Sequence, residues 1–192
     1  MRYLPTLGAL LLSGCATTTM TQPHAHLTKE HFKHTTTLTA KAGEPYAQLS
    51  TEKGYEETYD GAREFTATYL VASVDRKTGK AGYALSFMDT TTQPRKMAKL
   101  SYASPEGWME QQVKVKHGSR LCKGTECWNL ESVSAVLPED LLRAYAKRYA
   151  PGTPGGWPFR IAPDITGEIS YAEIAGLLER VDDYRTTLGV TP

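Results

Sequence analysis

Four carboxylates crowd into the short stretch TEKGYEETYDG, where Glu52, Glu56, Glu57 and Asp60 stand beside Tyr55 and Tyr59. Hydrolysis of a glycosidic bond needs such a pair: one acid kept protonated by an apolar pocket, and one ionised partner at a set separation. The stretch has the groups but no apolar run to build the pocket, so it reads first as a solvated turn. A cell-wall or glycan hydrolase using carboxylates near Tyr55–Asp60 is the alternative. Histidines supply a second chemistry. His24, His26, His31 and His34 fall in one Thr-rich segment, and neutral imidazole binds Zn, Cu or Ni. A metal centre also needs fixed geometry and outer support, so these four are weak metal candidates. No Gly-x-Ser-x-Gly elbow, phosphate-binding glycine loop or zinc-protease His-Glu pair occurs. No cofactor is implied, and a non-catalytic protein is the preferred reading.

The N-terminus carries the most specific pattern. In MRYLPTLGALLLSGC a single cation, Arg2, precedes an apolar run from Leu4 to Leu12, followed by small residues and Cys15. The run is far shorter than the roughly 20 residues a membrane-spanning helix requires, and it has the layout of a secretory signal. Leu12, Ser13, Gly14 and Cys15 resemble the lipobox of bacterial lipoproteins. The resemblance implies that residues 1–14 are a signal peptide removed by a dedicated peptidase. It also implies that the Cys15 thiol carries diacylglycerol and that the new amine is acylated, palmitate being a typical chain. Ala16 stands where inner-membrane lipoproteins of Gram-negative bacteria often have Asp, so the resemblance implies the periplasmic face of the outer membrane. Several acyl chains, at about 0.8 kcal/mol per buried methylene, hold a protein durably.

An envelope location changes the reading of Cys122 and Cys127 in CKGTEC. Outside the cytoplasm two remaining thiols usually pair, and Gly124 between them allows a tight reversal. A structural disulfide is expected, ahead of a redox or metal role, because the spacing departs from the Cys-x-x-Cys motif.

Charge narrows the partners. Lys plus Arg total 22 and Asp plus Glu 21, and loss of Arg2 with the signal leaves the two equal. Nothing favours nucleic acid. The expected contacts are the membrane, through lipid on Cys15, and an envelope protein or other envelope component.

The elements that must position any site follow from periodicity. Residues 15–34, the lipidated cysteine and a Thr/His-rich stretch with Pro23, read as a flexible tether. Residues 35–192, part of a chain with 40% hydrophobic residues, suit one globular domain. Phe65, Ala67, Tyr69 and Val71 alternate with polar neighbours, Ala81, Tyr83, Leu85 and Phe87 repeat the pattern, and Asp75 and Gly79 between them supply turn chemistry. That predicts a β-hairpin. Further strands are expected in KMAKLSYAS, MEQQVKVKHG and CWNLESVSAVL, and less distinctly in HTTTLTAKAG and PYAQLST. Two helices are expected, at 138–149 and 170–187, the first opened by Pro138 and the second by Ser170 and Glu173 at capping-box spacing. The fold class is therefore α+β, an antiparallel sheet with about two helices packed on it. In PGTPGGWPFRIAPDITG between the helices, Trp157 and Phe159 are candidate partner-binding residues, a Pro/Gly-rich aromatic loop being one way to display a contact surface. Core packing is the other reading of the same pair.

Overall fold

Apolar residues at every second position are what bury one face of a strand. The structure, a computed structural model, describes residues 27–51, 65–93, 97–162 and 165–190. Strands β1 (Thr37–Thr39), β2 (Tyr46–Ser50), β3 (Phe65–Asp75) and β4 (Ala81–Thr91) pair in sequence order. Strands β5 (Lys99–Ser104) and β6 (Gly107–Gln112) form a hairpin, as do β7 (Lys114–Lys123) and β8 (Glu126–Leu137). With β9 (Gly156–Ala162) and β10 (Ile165–Ser170) they complete two antiparallel sheets, ordered β1-β2-β3-β4-β8-β7 and β10-β9-β5-β6.

The expected α+β class and the antiparallel pairing are found, with two sheets in place of one. The second sheet exists because the Pro/Gly-rich segment between the late helices is extended rather than looped. In β9 alternation buries Trp157, Phe159 and Ile161. This corrects the reading of Trp157 and Phe159 as a partner-binding pair: both are core, at 0% and 2% exposure.

The predicted hairpin has its expected turn. The Asp75 carboxylate accepts from the backbone N–H groups of Lys77 and Thr78 at 2.9 and 2.8 Å, and Gly79 takes φ +68°. A Cβ on Gly79 would also stand 2.7 Å from Val190 Cγ1, so the turn needs glycine twice over. Register aligns Leu70, Leu85 and Ala135, and beside them Ala72, Tyr83 and Leu137, on one continuous apolar face.

That face is covered from the other side of the core. Helix α1 (Lys29–Thr35) precedes the sheets, α2 is Glu139–Ala146 and α3 is Tyr171–Thr187. Pro138 occupies the N-cap of α2, one position earlier than expected, and the Ser170 hydroxyl caps α3 by accepting from Glu173 N at 3.0 Å. The Glu173 carboxylate, 1% exposed, accepts from Thr51 Oγ1 at 2.6 Å. Thr51 Oγ1 in turn accepts from Leu70 N at 2.9 Å, so the start of α3 is fastened to β3.

Helix α1 moves the expected domain boundary. The stretch read as tether through His34 is helical from Lys29 and packed on α3, with Phe32 1% exposed. A Cβ on Gly176 would meet Lys29 O at 2.7 Å and Phe32 Cβ at 2.8 Å, so the two helices touch at a position only glycine fits. Lys29 and Lys33 reach Glu179 and Asp183 at 3.2 and 2.9 Å. Seven residues do not hold a helix alone in water, and here the docking does so.

Helices α2 and α3 are joined by a two-by-two charge lattice. Arg185, 7% exposed, donates to Glu139 and Asp182 and, through Nε, to the Gly79 carbonyl at 2.9 Å. Arg143 bridges the same two carboxylates from the wetter side. Burial pushes the Glu139 carboxyl up, but the Arg185 and Arg143 guanidiniums outweigh it and hold the group below its ordinary range. Its contribution to stability is complete above the pH at which an unfolded glutamate titrates, and is lost as the pH falls through the lowered folded value. Arg185→Met should cost about 2–3 kcal/mol in denaturant unfolding at neutral pH, since it removes the donor to the buried Gly79 carbonyl and leaves Glu139 and Asp182 with Arg143 as their one remaining guanidinium in the lattice, and should weaken the acid dependence. Arg143→Ala, at the exposed side of the lattice, should cost less than about 1 kcal/mol.

Candidate functional site

Large apolar side chains left in water by an otherwise well-buried fold mark a surface with a use. The β5–β6 hairpin carries two, Trp108 at 59% exposure and Met109 at 45%. Its turn is set by sequence: Pro105 and Glu106 occupy the corner, and Gly107 takes φ +119°. The Ser104 hydroxyl accepts from Glu106 N at 3.2 Å and donates to Gly107 O at 2.8 Å.

Register then assigns the faces. Tyr102 pairs with Met109 and Ala103 with Trp108, so Met109 lies on the Tyr102 side and Trp108 on the opposite one. Tyr102 is buried and pairs with Phe159 of β9, while Met109 stands at the rim of that layer. Between hairpin and α2 lies a groove of about 360 Å³ with Tyr102, Pro105, Met109, Leu141 and Ala144 along its apolar wall. Glu106 and Asp140 border it, so its rim is acidic. Strand β6 ends its sheet, and among the described residues no strand pairs with its outer side. Near Gln112 the Gln111 amide donates to Val136 O of β8 at 2.9 Å, leaving the Trp108 end of the edge the more open one.

Trp157 takes a different part from the one expected of it. Its indole N–H donates to Ala103 O at 2.7 Å, at the residue paired with Trp108, and its ring packs near those of Tyr102, Tyr145 and Phe159. It supports the exposed hairpin from within the core. Trp108 itself was not singled out by sequence reasoning, although a signal was present: a tryptophan and a methionine adjoin in a strand whose other side chains are Glu and Gln, so no apolar alternation turns them both to a core.

The other candidates are placed as follows. Cys122 and Cys127 are paired residues of the β7–β8 hairpin and form the expected disulfide, with Cα atoms 4.1 Å apart and Gly124 at φ +63° in the turn. His31 and His34 lie three residues apart on α1. Among the described residues no group of three His, Cys, Asp or Glu side chains is arranged to hold a metal ion. His24, His26, Cys15 with its lipobox, and the acidic run Tyr55–Asp60 lie outside the described residues. Among the described residues no helix is long and apolar enough to cross a membrane.

Trp157→Phe keeps an aromatic ring, though a smaller one, and leaves Ala103 O without its donor. It should lower unfolding free energy by about 1–2 kcal/mol and speed amide exchange in residues 103–109 more than in β3 and β4, as read by hydrogen exchange. No protein-family model, curated protein or solved structure matches this chain.

Proposed function

We propose that this protein is a lipid-anchored component of the bacterial envelope, held at the periplasmic face of the outer membrane through Cys15, and that it binds a protein partner without catalysis. The observation that carries the binding reading is the pair Trp108 and Met109, exposed on an edge hairpin beside an apolar groove. Binding energy concentrates in a few aromatic and aliphatic anchors surrounded by polar contacts, and this hairpin supplies such a set in miniature. The acidic rim at Glu106 and Asp140 favours a partner segment that brings a basic residue beside its apolar anchor. The anchoring reading is supported by Leu12, Ser13, Gly14 and Cys15 behind a short apolar run.

The test is in-cell crosslinking from a photoreactive group at Glu106, with captured proteins identified from membranes of the native host. A specific partner should be captured by the parent chain and lost by about tenfold or more in Trp108→Ala, with the melting temperature unchanged. Intact mass of the same material should correspond to a chain beginning at Cys15 with acyl groups attached. Equal capture by parent and Trp108→Ala would refute the hairpin as the site; a mass beginning at Met1 without lipid would refute the anchor.

A further inference from the structure

Among the described residues three of the four sheet edges are guarded and one is not. A row of unpaired backbone groups invites another chain, and proteins normally blunt it with a very short strand, a bulge, lysine or proline. Strand β1 has three residues. Strand β7, of sequence KVKHGSRLCK, is cationic and shifts register between Val115 and His117, and β10 shifts between Ile165 and Thr166. Strand β6, of sequence GWMEQQ, has no lysine or proline and pairs with β5 from Gly107 to Gln112 without a shift. Its one charged side chain, Glu110, is held by Lys99 of β5.

The ladder assigns the free backbone groups. Val113 N donates to Ala98 O at 3.0 Å, and bonded positions recur at every second residue of an antiparallel pair, so Gly107, Met109 and Gln111 turn their backbone to β5. Trp108 and Glu110 turn theirs outward. Both residues are exposed, and among the described residues nothing meets those N–H and C=O groups. On the Met109 face this edge meets the groove whose apolar wall includes Tyr102, Met109 and Leu141. The two carboxylates at its rim are not neutralised: among the described residues neither Glu106 nor Asp140 pairs with a cation, and Asp140 accepts only from Leu141 N of its own helix turn, at 3.0 Å.

We infer that the partner adds an extended segment to β6 as a further strand, with one apolar and one basic side chain two positions apart. This rests on the reading of the β5–β6 hairpin as a protein-binding site and specifies how that site is filled. The backbone of the segment bonds to Trp108 and Glu110, and its side chains alternate between the two faces. The side chain opposite Met109 falls on the groove side and takes the apolar wall. The next on that face stands opposite Gly107, where an added Cβ would have no atom within 4 Å, so a long basic side chain has room to reach Glu106 at the corner. The residue between them lies against the Trp108 indole. A helix arrives with its backbone already bonded, and an apolar surface has nothing to bond with; either would cover the Trp108 and Glu110 backbone without satisfying it. An acidic segment would meet two carboxylates with no cation beside them.

The test selects a random heptapeptide phage library on the full purified chain in detergent and measures the enriched peptides, once synthesised, by fluorescence anisotropy. They should share an apolar and a basic residue two positions apart and lose about tenfold or more in affinity to Trp108→Ala. Proline at an edge position removes an outward N–H and leaves the ladder intact, so Glu110→Pro should bind about tenfold or more weakly than Glu110→Gln, which loses the charge but keeps the N–H. Should Glu110→Pro lower the melting temperature, N-methylation of the peptide replaces it with the protein untouched: methyl groups on alternate residues of one parity should abolish binding, and those of the other parity should not. Peptides that need Trp108 but bind Glu110→Pro and Glu110→Gln alike, or tolerate methylation at every position, would overturn strand addition while the hairpin stands as the site. Enrichment of no peptide, or only of peptides indifferent to Trp108→Ala, would overturn the site as well. A parent dimer in sedimentation that Glu110→Pro dissolves would also overturn the inference, since a second copy would then fill the edge.

Discussion

One side of the six-stranded sheet is apolar from β2 to β8, and everything else in the fold follows from having to keep water off it. Ala72, Leu70, Leu85 and Phe87 lose accessible surface only if a second layer arrives, and β1 to β4 contain nothing that can provide one. The layer comes from later in the chain: β5, then α2, β9, β10 and α3, whose Leu100, Trp157, Ile174, Leu177 and Val181 share one core with the sheet. Much of the packing therefore joins residues distant in sequence, so the cover forms only once the chain has come together.

Cover alone does not set the angle at which the layer sits, and polar contacts at its two ends do that. At one end Glu173 joins the first turn of α3 to Thr51 and through it to Leu70; at the other Arg185 joins the last turn of α3 to α2 and to the β3–β4 turn. Each is nearly out of water, so a misplaced helix would leave a buried polar group without its partner. A helix fixed at both ends cannot rotate, and α3 can then present Gly176 to α1 with the fit of a few tenths of an ångström that the close approach requires.

Parts of this were legible in the residues and parts were not, for reasons that differ. The β3–β4 hairpin was readable because Asp75 and Gly79 make a turn by local chemistry, and α2 and α3 because their caps and apolar stripes are local too. β9 and β10 were not, since their glycines and Pro158 look like punctuation until a neighbouring strand fixes them: Gly156 lies where a Cβ would stand 2.5 Å from Ile169 O, and Gly167 where one would strike the Phe159 ring. Helix α1 escaped because its one buried apolar residue, Phe32, makes no periodicity. The aromatic residues showed the same split. Trp157 in its Pro/Gly setting resembled a displayed residue and is buried, whereas Trp108 in a polar strand is the one in water. Composition around an aromatic residue reports on its own strand, and burial is decided by the strand that packs against it.

The docking of α1 also bears on how a lipid-anchored chain would present its surfaces. Were the whole span through His34 flexible, the leash from Cys15 would be about 19 residues; with α1 seated on α3 only about 13 remain, which extend at most some 45 Å. The shorter leash starts at Thr28, on the α1–α3 side of the fold, and the outward face of the six-stranded sheet lies across the core from α3. In a lipid-anchored chain, the contact of Gly176 with Phe32 and the Lys29 backbone would thus limit how far the fold can stand from a membrane.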